Sequence, residues 1–258
     1  LFAAGKYLER NFDILNDLNV FPVPDGDTGS NMLSTFEAGT RVIAGTAMNG
    51  PQADTRDREA APLSAVAVPF TTELTRNSRG NSGFITARFF HGFFENTGNG
   101  GNGPSTALKA PDLADGFSRG LFKVNTSLFS PAEGTMITII RAMAESLKSA
   151  GPWVSGESGK SREVGEAGDA AGGNCPPAPT SNTSPTAADI PRLLSRAIDA
   201  GRRALAETPR LLPVLAKAGV LDSGALGFIF LMEGFRRGIT GEPAAREREE
   251  DYRFTPVT

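Results

Sequence analysis

Two carboxylates separated by a single residue stand in a turn near the start of the chain. Asp25 and Asp27 follow prolines at positions 22 and 24 and are followed by Gly29. Paired carboxylates suit hard divalent cations, which prefer oxygen ligands. An apolar helical pattern resumes at Met32, so this turn also opens a helix, whose first N–H groups attract anions. Cation ligands beside an anion site are what a nucleoside triphosphate needs, and the alternative is a surface Asp-Gly turn that caps a helix.

Three further turns combine glycine with small polar residues, and each precedes an apolar helical pattern. They lie at residues 79–83, 133–135 and 222–224. Each turn could be a local helix cap, or all four could meet at one end of a helical bundle. Several helix N-termini aimed at one point would form a strong anion site. The spacing of residues leaves both alternatives open.

Helices must position these turns, because apolar residues recur every three or four positions along most of the chain. We find no convincing run of alternating strand residues, so the sequence predicts an all-α fold. Pro69, after the short apolar run 66–68, begins or kinks a helix. The apolar stripes begin at Leu8, Met32, Ile85, Leu113, Met136, Leu194 and Leu226.

Composition excludes several classes of site and partner. The 258 residues carry a formal net charge of −3 with acids and bases mixed, so we expect no nucleic-acid partner. The one cysteine, Cys175, excludes a disulfide framework and a cysteine-rich zinc site, and it suits the reducing cytoplasm where we expect the protein. The one histidine, His91, lies among phenylalanines and is predicted to be structural. No apolar run approaches the roughly 18 residues of a membrane span.

The domain prediction is one domain over residues 1–241. Residues 151–186 are rich in Gly, Ser, Pro and Ala without an apolar period, which predicts a disordered insert. Residues 44–61 and 96–106 are polar or rich in Gly and Asn, which predicts loops. The charged residues 242–258 are predicted to fray or to link onward as a tail.

The first turn carries a family resemblance. From position 19 it reads Asn-Val-Phe-Pro-Val-Pro-Asp-Gly-Asp-Thr-Gly, and this resembles the metal- and nucleotide-binding turn of the ATP-binding DhaL-type domain of dihydroxyacetone kinases. It is most similar to the amino-terminal kinase domain of bacterial fatty acid kinase. The resemblance covers nearly all the helical sequence and skips the predicted insert. The later matches follow in the family's order at residues 79–83, 133–138 and 208–235.

The resemblance implies an all-α barrel of eight antiparallel helices, with ATP and two Mg²⁺ ions at one open end. Asp25 and Asp27 match carboxylates that hold the metals. A third metal carboxylate of the dihydroxyacetone kinase form has no acidic counterpart, and Asn19 is the nearest substitute. The residues that match the nucleotide site, with the last three forming a flexible cover, are Thr28, Gly29, Ser30, Asn31, Asn81, Ser82, Gly134, Thr135, Met136, Asp222, Ser223 and Gly224.

The implied activity is phosphate transfer from ATP to a substrate held by a partner protein. In the fatty acid form the partner is a fatty-acid-binding carrier and the product is an acyl phosphate. In the dihydroxyacetone form another subunit holds a small ketose. Phosphoryl transfer needs positioning and charge neutralisation, so no catalytic side chain is predicted beyond the metal and phosphate ligands. The backbone N–H groups of residues 28–31 are expected to take up phosphate charge. A catalytically silent nucleotide-binding regulatory module, a plain helical interaction domain, and a homodimer formed through further domains stay open.

The predicted insert generates a first test. Replacing residues 151–186 by a short linker should leave melting temperature and ATP affinity unchanged, because loop length changes closure entropy only slowly. A Gly/Ser segment of the original length is the matched control, since it separates length from sequence. A large loss of melting temperature or ATP affinity in both variants would mean that the tract packs onto the domain.

Overall fold

A computed structural model describes residues 1–49, 62–95, 106–150 and 187–255, and everything said below of the structure concerns those residues. The predicted insert 151–186 and most of the two predicted loops lie outside them. Two short 3-10 turns, Ala187–Asp189 and Glu249–Tyr252, accompany the α-helices. The α-helices are α1 (Phe2–Asp17), α2 (Thr28–Asn49), α3 (Leu63–Arg76), α4 (Gly80–Phe94), α5 (Ala110–Ser127), α6 (Met136–Lys148), α7 (Ile190–Ala206), α8 (Thr208–Leu211), α9 (Pro213–Ala218) and α10 (Ser223–Thr240).

Among the described residues, eight long helices form an antiparallel barrel, and α8 and α9 are short turns between the last two of them. Each long helix packs against its neighbours in the chain, and α10 closes the ring by packing against α1 and α7. In the described part of the chain the only strand-like pairing is an isolated bridge between Val220 and Arg253. The predicted all-α barrel of eight antiparallel helices is therefore confirmed.

The last helix is a deeply buried member of the ring. Almost every residue from Ser223 to Gly234 is buried, so this part of α10 is covered on nearly all sides rather than amphipathic. It packs against α1, α2, α6 and α7. Within the described ranges, no helix is both long enough and apolar enough to cross a membrane.

Phenylalanine rings fill the middle of the barrel around Phe89 of α4. Its ring centroid lies 5.2 Å from that of Phe117 and 4.7 Å from that of Phe228, both in edge-to-face geometry. Such pairs add to the free energy of simple apolar burial. Beside this cluster lies an apolar cavity of about 150 Å³, lined among others by Phe93, Phe94, Leu194 and Phe235.

The barrel has two different ends. At one, which we call the turn end, α1, α3, α5 and α7 finish and α2, α4, α6 and α10 begin. The connections at this end all lie within the described residues. Three of them are short loops, and the fourth is longer because it contains α8 and α9. At the far end, the segments 50–61, 96–105 and 151–186 join α2 to α3, α4 to α5 and α6 to α7. The apolar cavity lies toward that far end.

The charged tail departs from its prediction. Residues 242–253 do not fray, because they run back along α1, and Tyr252 is only 5% exposed. Arg246 makes a two-pronged ion pair with Asp13 of α1, with N–O distances of 2.5 and 2.6 Å. A run of charged residues is usually solvated, which is why the sequence predicts a free tail. In the structure, charges of this segment are paired with groups on the barrel.

The phenylalanine cluster generates a stability test. Phe89→Ala should lower the free energy of unfolding by about 3–5 kcal/mol, because it leaves a cavity against four other rings. Phe122→Ala on α5 is the control, because that ring is 68% exposed and its loss should cost about 0.5 kcal/mol or less. Urea unfolding followed by circular dichroism measures both. Equal losses in the two variants would contradict this account of the core.

Candidate functional site

Four helix N-termini meet at the turn end around one cavity of about 490 Å³. The first turns of α2, α4 and α6 and the start of α10 each contribute residues to its wall. Of the two alternatives that the sequence left open, convergence is therefore correct. A helix N-terminus carries a partial positive charge, so four of them around one cavity favour a negatively charged ligand.

Most of the residues predicted to bind metal or nucleotide lie on this cavity wall. The exceptions are Gly29, Ser30, Gly134 and Ser223, which do not line it. The predicted residues that do line it are Asn19, Asp25, Asp27, Thr28, Asn31, Asn81, Ser82, Thr135, Met136, Asp222 and Gly224.

The acidic turn is held in place by Asn19. This side chain is 6% exposed, and its Nδ2 donates to the carbonyl of Val23 at 2.7 Å and to Oδ1 of Asp25 at 3.1 Å. The Thr28 hydroxyl donates to its Oδ1. Asn19 was expected to replace a metal carboxylate, but in the structure both ends of its amide are engaged within the turn. It therefore orients Asp25, and its role as a metal ligand stays a prediction.

The start of α2 is capped from α1 in a way the sequence did not predict. Oδ1 of Asn16 accepts the backbone N–H groups of Gly29 at 2.8 Å and Ser30 at 3.1 Å, and the N–H of Asn31 donates to the carbonyl of Asp27 at 2.8 Å. The expectation that the N–H groups of residues 28–31 take up phosphate charge is thus wrong for three of the four. The side chains of Thr28 and Asn31 face the cavity instead.

The second wall comes from the start of α4. Gly80 has φ +57°, which favours glycine, and a Cβ there would lie 2.6 Å from Nδ2 of Asn31, so a larger residue would displace that side chain. The Ser82 hydroxyl donates to the carbonyl of Thr28 at 3.3 Å. The polar side chains of α2 and α4 are thereby held side by side, and Asn81 next to them is exposed.

The third wall is the turn before α6. Gly134, with φ +81°, packs against α8, because a Cβ there would lie 2.8 Å from Cβ of Leu211. This packing explains why Gly134 is absent from the cavity wall although Thr135 and Met136 line it. Glu133 does not line the cavity and forms an ion pair with Arg141, with an N–O distance of 2.7 Å.

The fourth wall is the start of α10. Asp222 caps this helix, because its Oδ2 accepts the N–H of Ala225 at 2.8 Å, and its own N–H donates to Thr208 Oγ1 at 3.3 Å. Burial raises the pKa of Asp222 to about 7. The expected flexible cover is not seen at residues 222–224, since Asp222 and Ser223 are only 5% and 3% exposed. The segment is a buried helix start in the cavity wall.

The donor set suits a hard cation shared with a phosphate ligand. Asp25 and Asp27 are both exposed to the cavity. Across the described ranges, no group of three His, Cys, Asp or Glu side chains could hold a metal without help. Mg²⁺ is commonly bound by one or two carboxylates, with phosphate oxygens and water completing its shell. The two carboxylates therefore fit magnesium that arrives with a phosphorylated ligand.

The cavity wall also has an apolar part, which the sequence does not predict. These residues flank the polar turns, and their spacing cannot be distinguished from that of core residues, so no sequence signal separates them. They surround a cavity whose polar groups lie mainly on its α2 and α4 sides. The apolar lining consists of Phe21, Pro22, Val23, Ile85, Leu128, Ala132 and Ile137.

Comparison with known proteins identifies relatives of similar sequence. The chain is 28% identical to Protein YloV of Bacillus subtilis over 242 residues, covering 94% of this chain and 35% of that protein. It is 29% identical to the uncharacterized MG369 homolog of Mycoplasma pneumoniae over 229 residues, covering 89% of this chain and 33% of that protein. The chain thus spans about a third of the length of these relatives.

A solved structure shares the fold. The dihydroxyacetone kinase from C. freundii, crystallised in complex with AMP-PNP and Mg²⁺, superposes with a TM-score of 0.52 at 19% identity. The match covers 92% of this chain and 32% of that one. The sequence pattern of the DAK2 domain matches residues 22–157, just over half of the chain and the part that contains three of the four cavity walls. The chain therefore belongs to the DAK2 domain family.

Proposed function

We propose that this chain is an ATP- and Mg²⁺-dependent kinase domain that transfers the γ-phosphate to a substrate carried by a partner protein. The observation that carries the proposal is the meeting of four helix N-termini and two exposed carboxylates on one cavity. A plain helical interaction domain would not need these groups at the same place. The dihydroxyacetone kinase of similar fold binds AMP-PNP and Mg²⁺, which supports the same ligands here.

The residues of the cavity divide into those that hold metal and those that hold phosphate. Asp25 and Asp27 would hold Mg²⁺, which neutralises charge on the phosphate oxygens when bound. Asn31 and Asn81 offer side-chain amide hydrogen-bond donors beside them, whereas the Thr28 hydroxyl already donates to Asn19. The N-terminal dipoles of the four helices add positive potential at the same point. Phosphoryl transfer needs this positioning and charge stabilisation more than covalent help.

The apolar side of the cavity suits the nucleoside. Phe21, Leu128 and Ile137 line it, and Met136 is 2% exposed beside them. Flat heterocycles bind between apolar side chains, with a few polar groups fixing their orientation. The base would therefore lie on this side, with its phosphates directed toward α2 and α4.

The acceptor is proposed to be a fatty acid carboxylate on a separate carrier, giving an acyl phosphate. This choice rests on the sequence of residues 19–29, which resembles the fatty acid kinase form most closely. A small ketose on another subunit is the alternative acceptor, supported by the similarity in fold to a dihydroxyacetone kinase. The open cavity mouth leaves room for a partner in either case.

Removing charge from the acidic turn tests the metal site. Asp25→Asn and Asp27→Asn should each weaken Mg²⁺-ATP binding roughly tenfold or more and abolish turnover, because a neutral amide is a poor Mg²⁺ ligand. Asp25→Asn keeps the oxygen that accepts from Asn19, so the turn should stay folded. Asp115→Asn, an exposed carboxylate on α5, is the matched control. Calorimetry gives the affinity, and wild-type binding and turnover in both turn variants would refute the site.

Measuring ATP binding and phosphate transfer separately tests whether a partner protein is required. The isolated chain should bind Mg²⁺-ATP but transfer little phosphate to free fatty acid, because the proposed acceptor is held by another protein. Addition of a loaded fatty-acid-binding carrier should raise transfer, measured as ATP consumed and acyl phosphate trapped by hydroxylamine. A carrier loaded with the matching fatty alcohol is the control, since it lacks the acceptor carboxylate.

The outcomes separate the alternatives. Strong transfer to free fatty acid would contradict the division of labour between the two proteins. Transfer to dihydroxyacetone but not to the loaded carrier would favour the ketose form. ATP binding without transfer to any acceptor would favour a silent regulatory module.

A further inference from the structure

The tail packs along α1 as a continuous segment, and we call residues 242–254 the strap. Arg10 donates to the carbonyl of Ala244 at 2.9 Å, and the side chain of Asn11 donates to the carbonyl of Ala245 at 3.1 Å. Oδ1 of Asn11 accepts the N–H of Glu247 at 2.8 Å. Asn11 is fully buried, so its amide is committed to the strap.

The strap is fixed at its middle by a tyrosine pair around one carboxylate. The hydroxyls of Tyr7 and Tyr252 both donate to Glu247, the second at 2.9 Å. The rings of both tyrosines also pack edge-to-face on Phe230 of α10, at centroid distances of 5.9 and 5.8 Å. Tyr252 is therefore anchored by its ring in the core and by its hydroxyl on Glu247.

The end of the strap binds the chain directly before a cavity residue. The carbonyl of Tyr252 accepts the N–H of Leu221 at 3.2 Å, and the N–H of Phe254 donates to the carbonyl of Gly219 at 2.9 Å. These bonds hold residues 219–221 in an antiparallel bridge. The next residue is Asp222, which caps α10 and lines the cavity.

The strap also touches the chain close to the acidic turn. A guanidinium nitrogen of Arg253 donates to the carbonyl of Asp17, the last residue of α1, at 3.3 Å. Two residues later, Asn19 orients Asp25. A single segment thus contacts the supports of two cavity walls, although none of its residues lines the cavity itself.

We infer that the strap is a positioning element of the nucleotide site, in which the anchored ring of Tyr252 holds the 219–222 turn and with it Asp222. The inference rests on the proposed function, since it concerns the affinity of that cavity for Mg²⁺-ATP. By linkage, a strap that favours nucleotide binding must itself be stabilised when nucleotide binds. A strap that is only part of the fold would show neither effect.

Three substitutions test the inference. Tyr252→Ala should raise the Kd for Mg²⁺-ATP about tenfold, because it frees the strap end from residues 219–221. Tyr252→Phe keeps the ring on Phe230 and should stay within about threefold of wild type. Arg248→Ala is the control, because that exposed side chain pairs only within the strap, with Asp251 at 3.1 Å, and should leave Kd unchanged. Calorimetry measures Kd at a temperature where circular dichroism shows each variant folded.

A measurement on the wild-type chain keeps the test decisive even if Tyr252→Ala does not fold. Mg²⁺-ATP should slow hydrogen exchange of the Leu221 and Phe254 amides more than that of the Glu95 amide, which bonds to His91 at the far end of α4. Unchanged exchange at the two strap bonds, or a wild-type Kd in folded Tyr252→Ala, would overturn the inference while leaving the proposed function standing. A wild-type chain that binds no Mg²⁺-ATP would overturn both.

Discussion

The backbone of α1 and the first turn of α2 lie in direct contact, and the site depends on this contact. A Cβ on Gly29 would lie 2.0 Å from the carbonyl oxygen of Phe12, so no other residue fits without moving a helix. The same approach lets Asn16 cap the start of α2. With both ends fixed, the intervening turn has little freedom, and its two carboxylates are directed at the place where the other helices begin.

The sequence predicted the architecture and most of the cavity because both depend on local patterns. Apolar spacing identifies the helices, and glycine beside small polar residues identifies where they begin. In a barrel of alternating helices every second connection falls at the same end, so turns far apart in sequence meet there. Asp25, Asn81, Thr135 and Asp222 come together for this reason. The apolar lining, including Phe21 and Leu128, could not be predicted, since its residues follow the same period as the core.

Other features depend on partners that no local pattern contains. The side chain of Asn16 accepts two of the N–H groups that were expected to face phosphate, those of Gly29 and Ser30. A turn separates Asn16 from these residues, and the path of that turn cannot be predicted from the sequence. The role of Asn19 in orienting Asp25 likewise depends on hydrogen bonds to Val23 and Asp25 that its position in the sequence does not show. The packing of the charged tail was not predicted, because its charges pair with residues of α1 and because Tyr252 buries its ring against α10.

The separation of the two barrel ends has a consequence for how such a domain can diversify. The connections at the turn end contain or adjoin glycines with positive φ and are held by hydrogen bonds within and between the turns. A change in the length of one of them would therefore displace a cavity wall. The segments 50–61, 96–105 and 151–186 instead join helices at the other end. The helix ends that these segments join lie away from the cavity, so evolution can change the length of the segments and leave all four cavity walls in place.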